Sequence, residues 1–211
     1  MNVLAIDTTS PDPAVALLAD GRLVEESLPS DRRSSEELLP AVRRVLSSAG
    51  RRLEECDRVA VCAGPGSFTG VRVGLATAWG FRRALGIAVE PVSTLEAMAE
   101  AARPAGVSRL LAVLDAGRGE LIGERFSLEE PRARSLGSPF RFPQTEVARQ
   151  AAGEPVVALP AGIGGAGGLA PRMRIASGLA LAVSRAPRHD WATAAAIYSR
   201  PSAAEERHGA P

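Results

Sequence analysis

The stretch from Val59 to Arg83 constrains this chain most, because an apolar strand there breaks into a glycine-rich turn and then a helix. Gly64 and Gly66 allow backbone angles that other residues avoid, and Ser67 or Thr69 offers an oxygen that can cap the helix. The first amides of a helix also attract anions. The sequence therefore predicts a strand, a tight turn and a capped helix, with Gly64-Pro65-Gly66-Ser67-Phe68-Thr69-Gly70 as the turn.

Small residues recur along this helix at Gly70, Gly74 and Ala78. Positions four apart lie on one face of a helix, so another element could approach this face closely. The pattern alone favours packing inside the chain's own fold, and a partner interface is the alternative. Gly86 is predicted to end the helix.

Two phosphate-binding motifs are excluded at this turn. Five residues separate Gly64 from Gly70, Val71 follows where a P-loop has lysine, and the chain contains no lysine at all. Thr69 stands where a dinucleotide-binding turn needs its third glycine. A later run, Gly162 to Gly167, has the dinucleotide spacing, but Ala170-Pro171 follows it instead of a convincing helix, which favours a loop.

Composition excludes several functional classes. A formal net charge of +1 over 211 residues gives no electrostatic excess for gripping nucleic acid. Cys56 and Cys62 lack the spacing of a zinc site, and the start of the chain does not resemble a signal peptide. No apolar run approaches the roughly 18 residues of a membrane span. We therefore expect a cytoplasmic protein without a cofactor. We also expect no metal site, since His189 and His208 are the only histidines.

The chain opens with a strand that ends at Asp7, and a hairpin around Asp20-Gly21 then predicts three antiparallel strands. The same pattern is repeated at Leu110–Leu114, a predicted strand that ends at Asp115 and is followed by a turn and a strand through Phe126. This duplication predicts an α/β fold with two lobes across a cleft: residues 1–103, and a smaller lobe of 104–211. Asp7 could hold a metal or phosphate there, but capping of its own turn is favoured.

Two capping boxes predict further helices. Ser34 with Glu37 begins an amphipathic helix that ends at Gly50, and Pro40 within it predicts a kink or a late start. Ser93 with Glu96 begins another. The rest is predicted as a loop over 129–143, a short helix over 145–152, a strand over 155–160, a helix over 178–186, a helix or strand over 192–198, and a tail over 203–211.

Several segments together carry a resemblance to one family. They are Leu4-Ala5-Ile6-Asp7-Thr8, Glu37-Leu38-Leu39-Pro40, the run from Gly64 to Gly74, Pro91 to Leu95, Asp115-Ala116 with Gly119-Glu120, and Tyr198 with Arg200. The chain resembles the TsaB family, also called YeaZ. The resemblance implies a two-lobed actin-like or sugar-kinase-like (ribonuclease H-like) fold with a reduced second lobe. It also implies a non-catalytic scaffold role in making threonylcarbamoyladenosine in tRNA.

The resemblance implies partners as well. It implies a heterodimer with the catalytic paralogue TsaD through the helix after the glycine turn and the amphipathic helix before it. It further implies binding of the ATPase TsaE, contact with tRNA through the complex, and a homodimer as an option without TsaD. On this basis the small stripe becomes a partner interface, and the implied interface residues are Leu38, Leu39, Val42, Gly70, Val71, Gly74, Leu75 and Ala78.

Two other functions stay open. An ATPase or phosphotransferase of the same fold would use Asp7, Gly66, Ser67 and Asp115, which we interpret as a vestigial nucleotide cleft. A peptidase has the weakest support, because no histidine lies near Ser67 in the sequence. The family often has a histidine near position 34, where this chain has serine, and the metal-binding histidine pair of the catalytic paralogue is missing. We therefore expect no catalytic residues.

Overall fold

A computed structural model of the chain describes residues 1–30, 34–103, 106–163 and 169–188. The predictions for 192–198, 203–211, His189 and His208, and most of the run from Gly162 to Gly167, lie outside these residues. The strands are β1 (Val3–Asp7), β2 (Ala14–Ala19), β3 (Arg22–Ser27), β4 (Arg58–Cys62), β5 (Ala88–Val92), β6 (Arg109–Gly117), β7 (Glu120–Ser127), β8 (Arg134–Ser135), β9 (Phe140–Pro143) and β10 (Val156–Leu159). The helices are α1 (Ser34–Ser48), α2 (Phe68–Leu85), α3 (Thr94–Ala102), α4 (Val147–Ala151) and α5 (Ile175–Arg185).

The first sheet has the strand order β3-β2-β1-β4-β5. β1, β2 and β3 are antiparallel, which confirms the predicted opening, and β4 and β5 are added in parallel. Asp20 and Gly21 have φ angles of 50° and 74°, as a two-residue hairpin turn requires. Parallel strands need a crossover, and α2 provides it between β4 and β5.

Side-chain alternation divides this sheet into two faces. One, the front face, carries large aliphatic side chains and is covered by α1 and α2. The other, the back face, carries mostly alanine and is covered by α5, against which α3 packs. The front-face residues include Leu4, Ile6, Val15, Leu17, Val59 and Val61. The back-face residues include Val3, Ala5, Ala14, Ala16, Ala60 and Cys62.

The second sheet has the order β10-β6-β7-β8, and β9 also pairs with β7. β6 and β7 form an antiparallel hairpin, and β10 lies parallel to β6. This repeats the arrangement of β1, β2 and β4 in the first sheet. The division into lobes of 1–103 and 104–211 stays a prediction.

α3 lies between the two sheets and is buried along its whole length. It contacts β6 and β7 of the second sheet and also α5. α5 packs on β1 and β2, whereas chain order had placed it in the second lobe. The two sheets therefore share one apolar core, which contains Ala5, Met98, Leu110, Phe126 and Leu179. Among the described residues, none of the helices is long and apolar enough to cross a membrane.

Some local predictions are wrong. α1 begins at Ser34, which excludes the late start predicted from Pro40. The capping box predicted at the start of α3 does not form. Ser93 makes no side-chain capping bond, and the carboxylate of Glu96 accepts a hydrogen bond from Arg132. The predicted loop over 129–143 contains β8 and β9, which pair with β7. α5 begins at Ile175, three residues before the prediction.

Candidate functional site

The glycine turn lies directly against the loop that follows β1. The amide of Ser67 donates to the carbonyl of Thr9 at 2.9 Å, and Thr8 Oγ1 donates to the carbonyl of Gly70 at 2.6 Å. A Cβ atom on Gly66 would lie 2.4 Å from the Thr9 oxygen, and one on Gly70 only 1.8 Å from the Thr8 oxygen. Glycine is needed here because two backbone segments touch, and their carbonyls occupy the space beside the turn.

Ser67, and not Thr69, caps α2. Its hydroxyl accepts a hydrogen bond from the amide of Gly70 at 3.2 Å, and its carbonyl accepts one from Val71 at 2.8 Å. Gly86 ends the helix in the left-handed conformation, as predicted. The first amides of α2 are therefore engaged by the cap, which leaves fewer donors for an anion than the sequence suggested.

Asp7 is fully buried within its own turn. Its Oδ1 accepts hydrogen bonds from the amide and hydroxyl of Thr9 at 2.9 and 2.8 Å and from the amide of Ser10 at 3.2 Å. The Ser10 hydroxyl donates to Oδ2. Burial raises the pKa of Asp7, and these hydrogen bonds oppose the shift without cancelling it. The capping role favoured for Asp7 is the one seen.

Asp115 occupies the matching position in the second sheet but is exposed to solvent. Its Oδ1 accepts a hydrogen bond from the amide of Gly117 at 2.7 Å, so this carboxylate also caps a turn. The structure brings Asp7, Gly66 and Ser67 together and leaves Asp115 on a separate hairpin. The nucleotide cleft inferred from these four residues stays a prediction.

Reactive side chains are scarce in the described part of the chain. It contains no histidine, and no group of three or more His, Cys, Asp or Glu side chains in it is placed to hold a metal. Burial raises the pKa of the Cys56 thiol to about 11. Burial, with the nearby charge of Asp7, raises the pKa of the Cys62 thiol well above its usual range. Neither thiol is a nucleophile at neutral pH.

The small stripe of α2 faces the chain's own sheet, which is the packing that the pattern alone favoured; its role in a partner interface stays a prediction. A Cβ atom on Gly74 would lie 2.6 Å from Thr8 Oγ1 and 3.3 Å from a methyl group of Val61. Ala78 is fully buried in the core beneath the helix. A bulky residue at Gly74 would therefore disturb folding before it could test association. The predicted interface residues Val71, Leu38 and Val42 are buried in the same way.

The outward sides of α1 and α2 present a different surface. Leu39 is 50% exposed and Trp79 is 48% exposed. Half-buried Phe81 lines a groove of about 490 Å³ between the helices, together with Leu39 and Arg43. We call Leu39, Arg43, Trp79, Phe81 and Arg83 the helix-pair surface.

This surface is positively charged on the α2 side, because α2 contains three arginines and no acidic residue. The guanidinium of Arg72 lies over the ring of Phe68 at 3.8 Å. Sequence reasoning missed Trp79, although a signal was available. Arg72, Trp79 and Arg83 follow each other at helical spacing on the side opposite Gly74, so a buried small stripe implies that they point outward.

Comparisons with known proteins agree on one family. The family model described as "TsaD: tRNA N6-adenosine threonylcarbamoyltransferase" matches residues 28–137. The chain is 37% identical over 131 residues to the tRNA threonylcarbamoyladenosine biosynthesis protein TsaB of Escherichia coli, a match that covers 62% of this chain and 57% of that protein. For the TsaB of Haemophilus influenzae the identity is 34% over 143 residues, with 67% and 60% covered. The chain thus spans less than two thirds of these relatives.

A solved structure gives the same result for the fold. The structure of YeaZ from Pseudomonas aeruginosa matches with a TM-score of 0.63 and 35% identity. The match covers 68% of this chain and 68% of that chain. This supports the α/β, actin-like or sugar-kinase-like fold class that the sequence predicted.

Proposed function

Because the chain belongs to the TsaB (YeaZ) family, we propose that it is a non-catalytic scaffold subunit in the biosynthesis of threonylcarbamoyladenosine in tRNA. In this proposal it binds the catalytic paralogue TsaD through α1 and α2, and it also binds TsaE. The assembled complex transfers the threonylcarbamoyl group to the adenosine next to the anticodon. The protein then acts in the cytoplasm and meets tRNA through the complex.

The helix-pair surface is the observation that carries this proposal. Exposed Leu39 lines the apolar groove, and exposed Trp79 lies on the outward side of α2. Exposed apolar side chains that form a patch mark protein interfaces. Tryptophan and arginine are enriched among the residues that dominate binding energy, and Trp79 and Arg83 lie together on α2. The contact residues in this proposal are Leu39, Arg43, Trp79, Phe81 and Arg83, in place of the buried stripe.

The turn around Asp7 supports the non-catalytic part of the proposal. An ATPase or phosphotransferase of this fold would need a carboxylate that can reach a metal ion or phosphate. The carboxylate of Asp7 is instead bonded within its own turn, and the carbonyls of Thr8 and Thr9 lie against Gly70 and Gly66. This arrangement disfavours the alternative function.

Reconstitution tests the role as a whole. The reaction mixture contains purified TsaD, TsaE, tRNA and a source of threonylcarbamoyl-adenylate. Modified adenosine is measured with and without this chain. We expect modification only with the chain present, and none from the chain alone. Equal modification without it would refute the scaffold role, and ATP turnover by the isolated chain would favour the alternative.

The binding surface is tested by Trp79→Asp and Leu39→Asp. In the proposed complex these side chains are buried against TsaD, so a charge in their place weakens binding on the order of tenfold or more. Calorimetry with folded variants measures this loss. Leu136→Asp is the matched control, because Leu136 is an exposed leucine (36%) outside both helices, and its substitution should leave affinity unchanged. Normal TsaD binding by both helix variants would exclude this surface. Sedimentation of each variant alone reports whether the same surface joins two copies of the chain.

A further inference from the structure

Three glutamates are buried on the back-face side of the first sheet. Glu90 lies on β5, and Glu96 and Glu100 lie on α3, with side chains that are 2%, 9% and 0% exposed. A carboxylate that leaves water without a positive partner is strongly destabilising. Each of these must therefore be paired by arginine.

Arg132, on the loop between β7 and β8, enters this layer from the second sheet. Its side chain is 3% exposed. The Nε atom donates to Glu96 at 2.6 Å, and Nη1 donates to Glu90 and to the carbonyl of Ala186 at 3.0 Å. One side chain thus joins β5, α3 and the end of α5.

Arg103, next to α3, donates to both oxygens of Glu100, and Arg58 of β4 lies 3.6 Å from Glu90. The C-terminal end of α5 supplies two more arginines. Arg185 donates to Glu100 at 2.6 Å. Arg188 donates from its side chain to both oxygens of Glu96, at 3.2 and 3.1 Å, and from its backbone amide to Glu90 at 3.0 Å. The end of α5 is therefore held by charge. Its start also has polar contacts, because Ser177 donates to Glu25 of β3 and Arg174 pairs with Asp12.

Packing alone places α5 very close to α3. A Cβ atom on Gly178 would lie 2.6 Å from the backbone nitrogen of Ala101. Ile175, Leu179 and Val183 of α5 are buried in the same core. The ion pairs at the end of the helix add a second attachment to this packing.

We propose that Glu90, Glu96, Glu100, Arg132, Arg185 and Arg188 form a latch that holds α5 on the back face and fixes the two sheets relative to each other. When the latch is broken, α5 separates from the first sheet locally, while α1 and α2 stay in place on the front face. The proposal does not depend on the scaffold function.

The two cysteines provide matched probes for this test. Cys62 is buried in the core that α3 and α5 cover, and Cys56 is buried in the core beneath α1 and α2. Opening of the back face alone exposes Cys62 and leaves Cys56 covered. The rate of thiol labelling in the full-length chain therefore distinguishes local opening from global unfolding.

The test compares Arg188→Met and Arg132→Met with Arg141→Met. Arg141 pairs with Glu120 at 3.3 Å outside the latch and serves as the control. We expect labelling of Cys62 to accelerate on the order of tenfold or more in the latch variants, with Cys56 unchanged. Equal acceleration at both cysteines, or at neither, would overturn the proposal. If Arg132→Met does not fold, Arg188→Met decides, since that side chain is 48% exposed and its loss leaves Arg132 in place.

Discussion

The two faces of the first sheet are built on opposite principles. The front face carries leucine, isoleucine and valine, and its covering helices leave a groove and exposed apolar side chains. The back face carries alanine, and its helices approach so closely that glycine is needed at the crossing. Buried ion pairs occur only on the back-face side among the described residues of α1, α2, α3 and α5.

This difference separates stability from recognition. Large side chains on the front face bury enough apolar area to hold α1 and α2, so the outer sides of these helices are free to bind a partner. The small side chains of the back face require close backbone contact and charge pairing, and that part of the fold has little freedom to change. Substitutions on the two faces should therefore have different consequences.

The largest effect is expected at the helix crossing of the back face. In Gly178→Ala the new methyl group would lie 2.6 Å from a backbone nitrogen of α3, which cannot move alone. We expect a loss of about 2–3 kcal/mol in the free energy of unfolding. Urea denaturation of the variant measures it. A loss below about 1 kcal/mol would show that the helices can separate easily.

Glu100→Gln tests the charge layer through its pH dependence. Burial alone would raise the pKa of Glu100, but bonds from Arg103 and the Ala133 amide, with the charge of Arg185, outweigh burial and lower it. A lowered pKa stabilises the fold above the unfolded value of 4.5, and this contribution is lost as the pH falls through the lowered pKa. The free energy of unfolding of the variant should be lower than that of the wild type by about 1.5–2 kcal/mol at pH 7. The difference from wild type should shrink under acid, and a constant difference would contradict the assignment.

The smallest effects compare two glycines on α2. Gly74→Ala would press on the Thr8 hydroxyl and should destabilise by about 1 kcal/mol, because Thr8 loses its bond to Gly70 when it rotates. A Cβ atom on Gly80 meets nothing within 4 Å, so Gly80→Ala should stabilise by about 0.5–1 kcal/mol through helix propensity. Thermal melting of both variants checks the opposite signs. The same sign for both would place the inward side of α2 elsewhere.

Local features were predictable where the signal lies within a few residues. The hairpin at Asp20-Gly21 and the helix end at Gly86 were found, because turns and caps depend on neighbouring residues. Of the two predicted caps, Ser67 is the one used, and the strand predicted to end at Asp115 continues to Gly117. The stripe of Gly70, Gly74 and Ala78 packs within the chain's own fold, and its use as a partner interface stays a prediction. Helical spacing shows which residues share a face, and it does not show whether the chain itself covers that face.

The sequence by itself determined the order of the elements, the duplicated plan and the family, since these depend on composition, periodicity and motif. Only the tertiary structure decided that Asp7 is enclosed in its turn, that Trp79 points outward, and that Arg132 meets Glu90 and Glu96. The partners of Arg132 lie 42 and 36 positions away along the chain. The position of a charged residue in the sequence does not indicate which residue it will pair with. The partner is decided only when packing removes both groups from water.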